Sequence, residues 1–174
     1  GAGGGPVIVL VGFMGAGKTT VGRLVAERLG VPFVDADAAL ESAQGLSIAD
    51  IFEGYGESGF RRLEAGLIAD ILAGPDVVLA LGGGALGTAA VREALVSHRV
   101  VLLDVGLDEA LSRVGGDPAR PMLRSPDLPG LYAGRQQAYR DAADVIVASD
   151  GRTSKQVAKE VLAALRNAEP GVGE

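Results

Sequence analysis

The sequence predicts a single doubly wound α/β domain, a five-stranded parallel sheet with helices on both faces. Three observations lead there. Five short runs, at 7–11, 31–34, 77–81, 100–104 and 145–147, are almost continuously apolar rather than alternating, as strands buried on both faces are. Between them, apolar residues recur at three- and four-residue spacing, so strands and helices take turns and the sheet is parallel. The first run passes directly into the glycine-rich Gly12-Phe13-Met14-Gly15-Ala16-Gly17-Lys18-Thr19, which opens a helical pattern. At 174 residues the chain suits one well-buried domain (1–174), with 1–6 and 168–174 as flexible termini.

Gly12-x-x-x-x-Gly17-Lys18-Thr19 has the P-loop spacing, and each part has a physical task. The glycines let the backbone curl until successive N–H groups face a nucleotide's phosphates. Lys18 brings a compact positive charge to the β and γ phosphates, and the Thr19 hydroxyl is a ligand for Mg²⁺. The dipole of the helix that starts here adds to the anion-holding field. Along that helix Val21, Leu24, Val25 and Leu29 share a face, and Gly30 is placed to end it.

The second strand ends in Asp35-Ala36-Asp37. Two carboxylates one residue apart, past a strand end, lie where open α/β sheets bind ligands. They suit either a division of labour between holding Mg²⁺ and accepting a hydroxyl proton, or a helix N-cap with a first-turn acid. Ser47-Ile48-Ala49-Asp50 reads as a cap for a short helix through Phe52, followed by a longer helix with Phe60, Leu63, Leu67 and Ile71 in one stripe. Arg61 and Glu64 are one turn apart on it, and such spacing by itself describes a surface ion pair.

The third strand closes in Gly82-Gly83-Gly84, which fits either a backbone that something must approach closely or a plain loop. Thr88 is placed to cap the next helix, and His98, the only histidine, ends it at the surface. The fourth strand ends in Asp104, in the manner of a Walker B strand, so Asp104 competes with Asp35 for Mg²⁺. Asp108 and Glu109 favour the next helix start, and Gly115-Gly116 end it. Residues 116–129 hold four prolines, Arg120 and Arg124, and little periodicity, as a mobile lid over phosphates would. A helix over 131–142 carries Arg135, and Asp150 or Thr153 caps a last helix through Val157, Val161, Leu162 and Leu165.

Composition narrows the class. The net charge of −6 and 4% aromatic content argue against a nucleic-acid surface, and no apolar stretch is long enough to span a membrane. Without cysteine there are no disulfides, thiolate metal sites or thiol nucleophiles. The opening residues 1–6 lack the basic and hydrophobic regions of a signal peptide, and the cytoplasm is the expected compartment. Yet residues 113–140 set Arg113, Arg120, Arg124, Arg135 and Arg140 against only Asp117 and Asp127. A basic segment in an acidic chain suits a small polyanionic ligand, although a solvated charged face is the plainer account.

Taken together, several motifs resemble shikimate kinase over nearly the whole chain, from Val7 to about Leu165. They are Gly12-Phe13-Met14-Gly15-Ala16-Gly17-Lys18-Thr19-Thr20-Val21-Gly22, Phe33-Val34-Asp35-Ala36-Asp37, Ser47-Ile48-Ala49-Asp50-Ile51-Phe52, Phe60-Arg61-Arg62-Leu63-Glu64, Leu81-Gly82-Gly83-Gly84-Ala85 and Ala119-Arg120-Pro121-Met122-Leu123. The resemblance implies strand order 2-3-1-4-5, ATP and shikimate as substrates, phosphorylation of the shikimate 3-hydroxyl, Mg²⁺ as cofactor, and a monomer. It implies that Asp37 is the general base and holds the substrate hydroxyls, with Lys18 and the lid's Arg120 also catalytic. An ATP site would comprise Gly12, Met14, Gly15, Ala16, Gly17, Lys18, Thr19, Thr20, Arg113, Arg120 and Arg152, with Arg113 packing on adenine. Arg61 and Arg135 would hold the substrate carboxylate, Glu64 would orient Arg61, and Gly82, Gly83 and Gly84 would present backbone. Thr19 and, through water, Asp35 would support the metal, leaving Asp104 an ordinary strand-end residue.

Two departures accompany the likeness. Gln136-Gln137-Ala138-Tyr139 replaces the family's Pro-Leu-Tyr run after Arg135, and the segment before it is short, so Arg140 is the alternative carboxylate arginine. Ser154 stands where many members pack a proline against adenine. Rival readings are a gluconate-type small-metabolite kinase, a nucleotide switch and a catalytically dead nucleotide-binding module. The switch lacks any Asn-Lys-x-Asp guanine-reading motif, and intact Lys18, Thr19, Asp35 and Asp37 oppose the dead module.

Overall fold

A computed structural model describes residues 6–114 and 127–167 of the chain. Five strands, β1 (Ile8–Val11), β2 (Phe33–Asp35), β3 (Val78–Ala80), β4 (Arg99–Asp104) and β5 (Val145–Ala148), form one sheet in the order β2-β3-β1-β4-β5. Every pairing is parallel, with Leu10 opposite Ala80 on one side and Val11 opposite Leu102 on the other. The P-loop, Asp35, Gly82, Asp104 and Ser149 therefore all leave the carboxyl edge of the sheet, where doubly wound folds bind their ligands.

The helices are α1 (Lys18–Leu29), α2 (Ala36–Gln44), α3 (Ile48–Ala73), α4 (Ala89–Leu95), α5 (Leu107–Val114), α6 (Leu128–Ala142) and α7 (Ser154–Asn167), with a 3-10 turn at Ala85–Gly87. The main core is the sheet itself: Val9, Leu10, Val78, Leu79, Val101, Leu102 and Leu103 are fully buried. Each such side chain contributes about 1.5–3 kcal/mol. Leu40, Ile51 and Phe60 form a second, smaller cluster between α2 and α3, where Phe52 stacks on Phe60 at 4.2 Å between ring centroids. The acceptor side of the carboxyl edge thus has its own packing.

Local chemistry explains most boundaries. Gly30 ends α1 in the left-handed conformation, and Ser47 caps α3 by accepting the Asp50 N–H at 3.1 Å. The two helices expected after Ser47 are both present within α3, parted at Gly56, whose φ of 71° and ψ of 174° interrupt the helical path. Several other expectations need correction. Thr88 starts α4 without a side-chain cap. At α7 the cap is Thr153, because Thr153 and Gln156 exchange backbone and side-chain bonds of 3.2 and 2.8 Å, while Asp150 instead accepts from the Gly106 N–H. Helix α6 begins at Leu128 rather than 131, since Asp127 caps it and Pro129 fits a first turn that needs no N–H donor there. Residues 127–129 of the segment expected as a lid thus belong to the start of α6, and 116–126, with Arg120 and Arg124, lie outside the described residues. No helix among the described residues is long and apolar enough to cross a membrane.

His98 is not a surface cap. Its Nδ1 accepts the N–H of Val7 at 2.9 Å at the entry to β1, and burial lowers its pKa below the ordinary 6.5. The bond requires the unprotonated ring, so its contribution is complete above the unfolded pKa and fades as pH falls. Denaturant midpoints should therefore drop between about pH 7.5 and 5.5, and His98→Ala should lose about 1 kcal/mol at the upper pH together with part of that slope. Urea titrations at the two pH values measure both.

Candidate functional site

The donor half is the β1–α1 loop. Gly15 and Gly17 hold φ of 78° and 92°, a region that costs other residues strain. A Cβ on Gly15 would lie 2.7 Å from the Ala110 carbonyl oxygen, so the loop presses directly on α5. Gly17 is the N-cap of α1 and offers no side-chain acceptor, which leaves the first N–H groups of the helix to an anion. Lys18 Nζ reaches back to hydrogen-bond the Gly12 carbonyl oxygen.

The loop is locked from β5. Ser149, buried just past the strand, donates from Oγ to the Ala16 carbonyl at 2.9 Å. Arg113 donates to the Gly15 carbonyl, Ser149 Oγ and the Ser149 carbonyl, each at 2.8 Å, and pairs with Glu109 at 2.9 Å. Glu109 also accepts the Gly151 N–H, which is the main reason its pKa lies below the ordinary carboxylate value. The edge of the Arg113 guanidinium is thus committed to the protein, and only its flat faces are left for a stacking partner. Arg152 is turned to the Ala148 carbonyl and to an ion pair with Glu160.

Asp35 and Asp37 fulfil the helix-cap reading of their spacing. Asp35 is the N-cap of α2, accepting the Ala38 N–H at 3.1 Å through Oδ1, and Asp37 lies in the first turn. Burial raises the Asp37 pKa above the usual 3.8, helped by the nearby Asp35 charge and opposed by Lys18 and Arg61. The Asp37 carboxylate rests on Gly82, where a Cβ would come within 2.7 Å of Oδ1. A carboxylate within the field of Lys18 and Arg61 joins the donor and acceptor halves.

The candidate acceptor half is a pocket of about 420 Å³ lined by Arg61, Gly83, Gly84, Arg135 and Tyr139, with Glu57 also contributing. Arg61 pairs with Glu64 at 2.9 Å, and Glu64 is only 3% exposed, so this is no surface pair. Burial raises the Glu64 pKa, with the Arg61 bond opposing it. A Cβ on Gly84 would strike the Arg61 guanidinium and approach Arg135 to 3.1 Å; one on Gly83 would meet Arg135 at 2.7 Å. Both guanidinium groups therefore lie over the glycine run. Burial lowers the Arg135 pKa, and Arg61 adds to that. Tyr139 donates to the Gly83 carbonyl at 2.8 Å, and burial pushes its pKa up to about 12.

The two candidate arginines are placed differently. Arg135 faces the pocket, whereas Arg140 is half-exposed and lies 3.6 Å from Asp104. Asp104 turns toward α6, where the Gln136 amide donates to it at 2.8 Å. Ser149 and Tyr139 escaped sequence reasoning. Their signals were a polar residue at the end of β5 and an aromatic one turn beyond Arg135.

A P-loop beside a half-buried carboxylate and a two-arginine pocket defines a small-molecule kinase that phosphorylates an anionic acceptor. The chain belongs to the shikimate kinase family, whose profile matches residues 14–166. It is 47% identical over 163 residues to the shikimate kinase of Streptomyces avermitilis, covering 92% of this chain and 95% of that one. A solved shikimate kinase from Acinetobacter baumannii in complex with shikimate superposes with a TM-score of 0.89 at 36% identity, over 97% of each chain. A gluconokinase from Sinorhizobium meliloti, at TM-score 0.61 and 20% identity over 93% of this chain and 92% of its own, shares the fold alone.

Ser149→Ala should loosen the loop anchor by leaving the Ala16 carbonyl without its donor. The expected cost is about 1–3 kcal/mol in urea unfolding, with a raised KM for ATP.

Proposed function

We propose that the chain transfers the γ-phosphoryl group of ATP to the 3-hydroxyl of shikimate, giving shikimate 3-phosphate and ADP in the pathway to aromatic amino acids. The observation that carries this reading is the convergence of Arg61 and Arg135 over Gly83 and Gly84, next to the field shared by Asp37 and Lys18. Two planar forks at one spot match a carboxylate, which takes paired N–H donors. Glu64 fixes the Arg61 fork and partly offsets the charge of the pair.

With the carboxylate anchored there, the ring reaches toward the first turn of α2. Asp37 holds the ring hydroxyls and accepts the proton of the attacking one, for which a carboxylate with a raised pKa is suited. On the donor side, Gly12, Met14, Gly15, Ala16, Gly17 and Thr20 surround the phosphates, and Lys18 swings from Gly12 onto the β and γ groups. Arg113 offers its flat face to adenine with Arg152 at the same rim, and Arg120 from the lid completes the charge neutralisation. Transfer of this kind asks for alignment and electrostatic support more than for covalent chemistry.

The donor set suits Mg²⁺. No group of three or more His, Cys, Asp or Glu among the described residues forms a protein cage, and Mg²⁺ in kinases uses one or two protein oxygens with phosphates and waters. Thr19 would hold it directly and Asp35 through water, its second oxygen being free of the cap bond with Ala38. Held there, Mg²⁺ would supply charge neutralisation to the phosphate oxygens. One copy supplies every group named, so a monomer suffices, and the chain is read as acting in the cytoplasm without nucleic-acid or membrane partners.

The deciding experiment is a coupled ADP-release assay offering shikimate, gluconate and nucleoside monophosphates. Release with shikimate above background supports the reading, and its absence overturns it. Asp37→Asn should bind ATP normally while kcat falls about 10²–10⁴-fold. In the unaltered enzyme, kcat/KM for shikimate should decline on the acid side at a pH above the ordinary aspartate range, because the raised pKa protonates the base earlier. Arg61→Ala should raise the shikimate KM about 10- to 100-fold with the ATP KM unchanged, the worth of a charged hydrogen bond. Gly84→Ala should do likewise by displacing both guanidinium groups, and steady-state titration of each substrate separates these effects.

A further inference from the structure

Asp104 ends β4, yet both its carboxylate oxygens are drawn toward α6: Gln136 Nε2 donates to Oδ1 at 2.8 Å, and Arg140 lies 3.6 Å from Oδ2. One residue on, the Val105 carbonyl accepts the Tyr132 hydroxyl at 2.6 Å, and the Tyr132 ring meets Phe13 of the P-loop edge-on at 5.1 Å. Tyr132, Gln136 and Arg140 are spaced by four, so they form one stripe along α6. Arg135 and Tyr139, also spaced by four, form the neighbouring stripe that faces the acceptor pocket. Adjacent residues on a helix are about 100° apart, so fixing one stripe sets the direction of the other.

Gln136 marks this contact as costly to keep. It is 4% exposed, and its Oε1 has no partner among the described residues. Rotating the amide would only bring that oxygen against the Asp104 carboxylate. An apolar residue of similar size would avoid this buried orphan, a kind of group that folded proteins rarely keep.

We propose that Asp104 is a positioning residue for the acceptor, holding α6 through Gln136 and Arg140 so that Arg135 faces Gly83 and Gly84. The strand-end carboxylate that rivals Asp35 for a metal acts instead on the substrate side. This rests on the reading of Arg135 as a carboxylate ligand.

The test compares Asp104→Ala, Asp104→Asn and Gln136→Met with the unaltered enzyme. The measurements are KM for shikimate, KM for ATP, kcat, half-saturation by Mg²⁺ and thermal midpoint. Asp104→Ala and Gln136→Met should raise the shikimate KM about five- to twentyfold, the scale of coupling through a shared network. Asp104→Asn, which keeps an acceptor for Gln136, should have a smaller effect. The ATP KM, kcat and Mg²⁺ half-saturation should move less than about twofold, within ordinary error for separate sites. A rise in Mg²⁺ half-saturation, or a fall in kcat at constant shikimate KM, overturns the proposal in favour of a metal role. A lower thermal midpoint with all kinetic constants unchanged overturns it in favour of a purely structural contact. Arg135→Gln separates the two levels: on that background Asp104→Ala should add nothing to the shikimate KM. If Arg135→Gln by itself leaves that KM unaltered, the ligand reading fails, whatever Asp104 does.

Discussion

Two guanidinium groups held side by side over Gly83 and Gly84 impose the main constraint on this molecule. Like charges repel, and burial already weakens the charged form of Arg135. Holding them together without a ligand requires a backbone with no side chains beneath, a buried counter-charge and rigid supports. The glycine run meets the first need and Glu64 the second. The supports are the Tyr139 bond to Gly83 and the seating of α6 on the end of β4. On the proposed reading, a carboxylate arriving there would find its donors already aligned, with little ordering cost left at binding.

The donor half is built on the opposite electrostatic logic. Apart from Lys18, its groups are backbone dipoles, and their directions are set by a network that reaches from α5 and β5. Arg113 and Ser149 between them occupy the carbonyl oxygens of Gly15 and Ala16, which would otherwise face an approaching phosphate. Engaging these carbonyls from behind leaves N–H groups as the loop's exposed polarity. Phe13 and Tyr132 then link this loop to the helix that carries the acceptor arginine. The two halves share a wall, which favours constant separation between phosphoryl donor and acceptor.

Asp37 belongs to both halves. It is a carboxylate that burial and Asp35 push toward protonation while Lys18 and Arg61 pull it back. Such a balance lets substrate charge alter its proton affinity during the reaction. The chain as a whole carries −6, so attraction of anionic substrates depends on these local cations rather than on net charge.

The sequence by itself determined the strand order's raw material, the P-loop, the acid pair and the glycine run, because these depend on short-range patterns. Apolar runs, glycine spacing and capping residues act within a few positions of themselves. Spacing alone left Arg61–Glu64 as an ordinary surface pair, since burial is a property of what packs above it; Glu64 is 3% exposed, paired with an Arg61 that lies over Gly84. That Arg135 rather than Arg140 lines the pocket likewise depends on the rotation of α6, set by contacts with Asp104 and Gly83, 31 and 52 positions distant from Arg135. Ser149's hold on Ala16 spans 133 positions. Tertiary structure decided these points because side-chain direction and burial are fixed by distant partners, which a local pattern does not encode.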